Sequence, residues 1–176
     1  IIKNKSFVLP IGIDFQKFDL IQSNKFNKLP LILWNHRWEY DKNPDEFFNT
    51  LILLKQKGVN FELCVLGEHG KKYPEIFDKI KLSLAEEIIH WGTVASNDEY
   101  IGWLKRSDIL PVTSNQDFFG ISIVEAIYCQ CYPILPNRLS YKEHIPEVLH
   151  NSVFYNSNDE LIDILERVIT ESHKKT

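Results

Sequence analysis

Six short apolar runs alternate with amphipathic stretches along this chain, joined by brief connections, and few folds accept that pattern. The runs are Leu31–Trp34 and then NFELCVLG, EIIHWG, SDILPVT, CYPILP and SVFYN, and each reads as a strand. After the first, apolar Phe47, Phe48, Leu51 and Leu54 recur at helical spacing until Gly58. Asn43 is expected to cap this helix, Pro44 suits its first position, and Asp45 and Glu46 complement its dipole. Pro74 opens a second helix and Ser96 caps a third. FGISIVEAIYCQ makes a fourth helix, apolar nearly all round and so expected to be buried, and DELIDILERVITES closes the chain. YKEHIPEVL reads as a poorly defined helix. The pattern predicts an α/β fold: a Rossmann-like, doubly wound parallel sheet of about six strands with helices on both faces. In such a sheet ligands bind beyond the carboxyl ends of the strands, where the strand order reverses. The turns after the first and fourth strands are therefore the places to look.

The 176 residues suit one domain with a real core. Ahead of the first strand, FVLPIGIDFQKF has Pro, Gly and Asp and no helical period, as in a linker entering from another domain. The absence of methionine predicts that the chain is a piece of something longer. Several functions are excluded. A net charge of −4 does not suit a basic nucleic-acid-binding domain. No apolar run is long enough to span a membrane. There is no G-x-G-x-x-G, no P-loop, no G-x-S-x-G elbow and no H-E-x-x-H. Cys64, Cys129 and Cys131 lack a framework spacing and read as reduced thiols of a cytoplasmic protein. Cys129 and Cys131 alone are a weak metal signal, and no metal is expected.

Two turns carry the chemistry. WNHRWEYDKNP sets Arg37 just past the first strand and Lys42 just before the first helix. A helix N-terminus presents unpaired N–H groups and partial positive charge. Adding a bidentate guanidinium and a point charge makes a pocket for a diphosphate. The bland alternative is a pair of solvated surface charges. In NQDFFGISIVEAIYCQC, Glu125 sits inside an apolar helix and Asp117 in the loop before it. A buried carboxylate needs a partner or its pKa rises. Phe119, Gly120 and Ile121 should form the helix N-terminus, with Gly120 allowing close approach and the amides available to phosphate. The alternative here is that Glu125 reaches a neighbouring Lys or Arg and Asp117 merely caps the helix.

These motifs together resemble the donor-sugar domain of a retaining glycosyltransferase of the two-domain GT-B type, family 4, group 1. LPIGID resembles the linker P-N-G-[VI]-D, and HRWEYDK the family's R-x4-K. VLGEHG loosely resembles [VI]-G-[DE]-G-P, and HWGTV resembles F-x-G-x-V. SDILPVTSNQDFFGISIVEA resembles the E-x7-E signature, with Asp117 standing where the first Glu is usual. The wording is narrower still, similar to the glycosyltransferases that add mannose to queuosine in tRNA. The resemblance implies that residues 1–29 lead in from an N-terminal acceptor domain and residues 30–176 bind the nucleotide sugar. It implies that Arg37, Lys42 and the amides of Phe119, Gly120 and Ile121 hold the leaving diphosphate. Asp117 would bind the sugar, Glu125 the ribose, and His90 and Gly92 the base edge through their backbone. It also implies GDP-mannose as donor, a tRNA acceptor engaged through the other domain, retention at the anomeric carbon and no obligatory metal. A nucleotide-sugar epimerase, using Asp117 and His144, and a non-catalytic nucleotide-binding module are the alternatives. Trp34 is expected in the core and Trp38 at the rim. NRLSYKEH either closes over the sugar or is a surface loop.

Overall fold

In the computed structural model, which describes residues 7, 9, 11–22 and 27–173, the six apolar runs form one sheet. The strands are β1 (Leu31–Trp34), β2 (Glu62–Leu66), β3 (Ile88–Gly92), β4 (Ile109–Pro111), β5 (Tyr132–Pro136) and β6 (Phe154–Tyr155). Their order is β3-β2-β1-β4-β5-β6, and every pairing is parallel. The chain runs outward from β1 to β3, then crosses back to β4 on the other side of β1. The order therefore reverses between β1 and β4, and the crevice for a ligand opens there.

Alternation along the strands builds two cores. Ile32, Trp34, Leu63, Val65, Ile109 and Ile134 face one layer, formed by α2 (Pro44–Gln56), α3 (Ile76–Ser83) and α7 (Asn158–His173). Leu31, Leu33, Cys64, Leu66, Leu110 and Leu135 face the other, formed by α4 (Asn97–Arg106) and α5 (Ile121–Tyr128). All four residues of β1 have no exposed surface, as befits a strand covered on both faces. Ser96 caps α4 as expected: its hydroxyl accepts from Glu99 N at 3.1 Å while the Glu99 carboxylate accepts from Ala95 N at 2.8 Å.

Five expectations change. Asn43 precedes α2 but does not cap it through its side chain. A 3-10 turn, Tyr40–Lys42, ends on Asn43, whose amide bonds the Tyr40 carbonyl. That ending forces a left-handed backbone (φ 51°, ψ 55°), and the Asn43 amide donates to the Glu46 carboxylate instead. Second, α5 is not buried all round. Ile123 and Ala126 face the sheet, while Ile121 and Tyr128 remain 46% and 42% exposed. Third, the leading segment contains a short helix, α1 (Gln16–Leu20), lying on the outer side of α5. Phe15 stacks on Tyr128 at 3.8 Å, and the Tyr128 hydroxyl donates to Asp19 at 2.6 Å. The outer apolar residue Tyr128 thus has a local partner. The rest of the linker reading, Pro10 included, lies partly outside the described residues. Fourth, Trp38 is core rather than rim: it is 4% exposed and stacks on Phe77 at 4.3 Å. The turn after β1 folds back over the end of β2, so the Trp38 indole reaches the Leu66 carbonyl (3.3 Å). Fifth, at the opposite edge of the sheet, Ser152 and Val153 belong to a helical turn, α6 (His150–Val153), which shortens β6.

Backbone contact fixes that fold-back. Gly67 has φ 124°, and a Cβ there would lie 2.2 Å from the His36 carbonyl oxygen. That oxygen also accepts the Trp34 indole N–H at 2.9 Å. The His36 ring is packed edge-on against Trp34 and is 3% exposed. Burial, and then the nearby Lys42 cation, pull its pKa down to about 3.

Gly67→Ala should therefore cost about 3 kcal/mol or more. A melting scan would register this as a fall of about 6–12 °C. His36 gives a pH signature. Its imidazole takes a proton below about 6.5 when unfolded but only near 3 when folded. The stability it supports is therefore complete above pH 6.5 and is lost as pH falls toward 3, by at most about 1.4 kcal/mol per pH unit. Denaturant unfolding between pH 7 and 4 should show a shallower pH slope for His36→Gln than for the parent.

Candidate active site

The two turns at the switch point are laced together. The buried Thr113 hydroxyl lies 2.9 Å from the Lys42 carbonyl and 3.0 Å from the Asn43 carbonyl. The amides of Asn115 and Gln116 both donate to the Asp41 carbonyl, at 2.7 and 3.3 Å. Lys42 completes the seam: its ammonium donates to the Gln116 carbonyl at 2.9 Å and lies 3.2 Å from Asp41 and 3.6 Å from Asp117. Its side chain is 11% exposed. Lys42 is thus a partnered, nearly buried cation, not the open charge that the sequence suggests. Arg37 differs. Its side chain is 62% exposed, and its one ion pair among the described residues is with Glu39 at 2.8 Å.

Between the turns lies a cleft of about 390 Å³. Arg37, Lys42, Asp117, Phe119, Gly120 and Ile121 all line it, so six of the nine expected site residues come together. Asn35, His36 and Ser122 also line it, and no sequence pattern had marked them. Ile11 of the leading segment and Phe118 add an apolar rim. A larger cavity, about 650 Å³, lies at the far edge between α6 and α7. Its Lys142 rests near the Phe154 ring (6.0 Å), and it holds none of the expected site residues.

The Asp117 loop is braced from behind by residues 140–144. Ser140 donates to the Phe118 carbonyl at 3.1 Å, and His144 Nε2 lies 2.6 Å from the Phe119 carbonyl. The Tyr141 hydroxyl is 3.5 Å from Asp117, and burial first, then Asp117, push its pKa up. The NRLSYKEH stretch is therefore a buttress for the loop rather than a free surface loop. Arg138 ties the preceding residues, donating to the Thr113 and Ser114 carbonyls at 2.7 and 2.9 Å. Gly120 is left-handed (φ 82°), and a Cβ there would crowd Ile123 (3.1 Å) and Tyr141 (3.3 Å). Its glycine is demanded by this inward packing and by φ, where ligand access alone had been expected. It ends the loop and starts α5, whose first amides have no intrahelical partner.

Glu125 does not line the cleft, but it lies one turn past Ile121 on the same side of α5. The bland alternative for it does not hold: it meets no Lys or Arg among its described contacts and accepts from the Tyr100 hydroxyl at 2.8 Å, and no side chain, Asp117 included, caps α5. Burial raises its pKa, and the Tyr100 hydrogen bond opposes the shift. His90 and Gly92 sit on the edge strand β3, two strands from β1. The His90 ring packs on Trp103 (4.8 Å), and Gly92 ends the strand at φ 107°. Among the described residues no three His, Cys, Asp or Glu side chains group as a metal site. Cys131 donates to the Leu104 and Ser107 carbonyls at 3.3 Å. No helix among the described residues is long and apolar enough to cross a membrane.

The family described as glycosyl transferases group 1 matches residues 15–176. The chain is similar to a tRNA-queuosine alpha-mannosyltransferase of Drosophila melanogaster, 32% identical over 168 residues. The match covers 91% of this chain and 43% of that protein. The fold matches the C-terminal domain of a group 1 glycosyl transferase, LpcC, from Francisella tularensis, with TM-score 0.68 and 21% identity over 93% of this chain and 86% of that one. It also matches Anabaena HepE, solved in complex with UDP, with TM-score 0.65 and 17% identity over 82% of this chain and 40% of that one. With the family's pattern running from Phe15 to the last residue, this chain belongs to the group 1 glycosyl transferases.

Proposed function

We propose that this chain is the donor-binding domain, residues 30–176, of a retaining glycosyltransferase, with residues 1–29 leading in from an N-terminal acceptor domain. It transfers a hexose from a nucleoside diphosphate sugar, with GDP-mannose and a queuosine-bearing tRNA as the pair to test first. That pair rests on the similarity to the Drosophila mannosyltransferase, of whose length the chain spans 43%. The observation that carries the reading is the cleft itself. An exposed guanidinium, a nearly buried ammonium, a carboxylate and a helix N-terminus converge on about 390 Å³ at the switch point.

Breaking the bond from the anomeric carbon to the diphosphate leaves negative charge on the leaving group. Stabilising that charge is where such a site gains its rate. Arg37 is the group open to a bidentate contact with the diphosphate, and the first amides of α5 around Phe119, Gly120 and Ile121 supply a second set of donors. Lys42 adds positive potential from beneath. An anion approaching it competes with Asp117, which would turn Asp117 toward the sugar hydroxyls. Glu125 takes the ribose, and the backbone at His90 and Gly92 the base. The protein works in the cytoplasm and needs no resident metal. The epimerase alternative loses support, because His144 is already bonded to the Phe119 carbonyl.

At a hundredfold excess over Kd, a nucleoside diphosphate should add about 2.7 kcal/mol, a rise of about 5–10 °C in Tm. Arg37→Ala should abolish most of that rise while leaving the ligand-free Tm unchanged within about 1 °C. Lys42→Ala should abolish it and also lower the ligand-free Tm, because the seam to Gln116 is cut. No rise with GDP or UDP would sink the reading. The stereochemical claim is checked with the full-length protein, GDP-mannose and queuosine-bearing tRNA. Proton NMR of the product should show the donor's anomeric configuration kept. Donor conversion with no acceptor present would instead favour the epimerase, and binding without turnover a non-catalytic module.

A further inference from the structure

Glu125 is an odd carboxylate. It is half-buried in an apolar helix, its pKa is raised by burial, and no cation among the described residues compensates it. Among the described residues its one hydrogen-bond partner is neutral: the Tyr100 hydroxyl, 2.8 Å from Oε2. An ionised carboxylate offers about four acceptor positions, so most of its capacity is open. A half-buried acceptor that one protein donor leaves mostly open is matched by a ligand that brings hydroxyl groups.

Tyr100 lies on α4, with the Asn35 side chain near enough to act on its phenol. Asn35 follows β1 directly, is 7% exposed, lines the cleft, and donates to the Ser122 carbonyl at 2.7 Å. Asn35 at the end of β1, Tyr100 on α4 and Glu125 on α5 thus form one polar group beside the cleft, with the Tyr100–Glu125 hydrogen bond at its outer end. Burial and the adjacent Glu125 raise the phenol's pKa, so it stays protonated and donates.

We propose that Tyr100 is a positioning residue: its hydroxyl holds one oxygen of Glu125 so that the other is presented to a ribose hydroxyl of the nucleotide. The proposal rests on the reading of Glu125 as the ribose contact. With Tyr100 in place the carboxylate has one orientation. Without it the carboxylate turns among rotamers, and the contact it makes to a ribose hydroxyl weakens.

The test compares ribose with deoxyribose. Calorimetry on this chain would measure the affinities of GDP and UDP and of their 2′-deoxy and 3′-deoxy forms. The parent should prefer at least one ribonucleotide over a deoxy form by about tenfold or more. Glu125→Gln should reduce that preference to about threefold or less. Tyr100→Phe, which keeps the ring and its packing, should do nearly the same, leave the deoxy affinities unchanged and hold Tm close to that of the parent. If Glu125→Gln loses the preference but Tyr100→Phe keeps it, the proposal is overturned while the reading of Glu125 stands. Equal weakening of ribo and deoxy ligands by Tyr100→Phe also overturns it, since that is what loss of packing alone would do. If Glu125→Gln keeps the preference, or the parent binds neither nucleotide, the reading of Glu125 fails and the proposal with it.

Discussion

Everything at the site depends on the seam between the turns after β1 and β4. Parallel strands at a switch point diverge, because their following helices go to opposite faces of the sheet. Here Thr113, Asn115 and Gln116 bond the backbone of residues 41–43 directly, and Lys42 reaches across to close the gap. These bonds are mostly backbone to backbone or hydroxyl to backbone, so they fix position without depending on charge. The charges then follow. Lys42 and Asp117 cannot be far apart once their loops are sewn together, and each lowers the cost of burying the other.

The seam also separates two kinds of cation. Arg37 is held by one exposed ion pair, which in water is worth little and is easily exchanged for a ligand phosphate. Lys42 is held by a carbonyl and two carboxylates in a place that is nearly dry. It lines the cleft beside His36, whose pKa is pulled down by burial first and by Lys42 second. On the proposed reading, one residue would serve exchange and the other the standing potential. The sequence spacing of five gives no hint of that division, because both look alike in a polar turn.

What the sequence made legible was periodic or local. The strand alternation and the apolar spacing in α2 and α7 depend on neighbours a few residues away, and so does the cap at Ser96. The turns holding Arg37, Lys42, Asp117 and Glu125 stood out by their place at strand ends and by likeness to a family pattern, and six of the nine expected site residues line one cleft. The misses are contacts across the fold. Tyr141 meets Asp117 from 24 residues away, Tyr100 meets Glu125 from 25, and Asn35 meets Ser122 from 87. Asn43 was misread because a 3-10 turn ended on the same residue that began a helix, and the turn's left-handed ending decided the backbone. Trp38 was misread because its neighbours are polar. Its burial comes from Gly67, which lets the turn after β1 close over β2.

Gly67 and Gly120 show how little side-chain volume the site tolerates at its corners. At Gly67 the conflict is with a carbonyl oxygen, which cannot rotate away, so a substitution must move the turn that carries Arg37. At Gly120 the conflict is with Ile123 and Tyr141, so a substitution would push on the buttress behind Asp117. Both glycines lie outside the strands and helices they join, yet each fixes where a charged group of the cleft points. The site is thus set less by its charged residues than by two backbone corners and the seam between them. A chain with Arg37, Lys42 and Asp117 intact but either corner filled would keep the chemistry and lose its geometry.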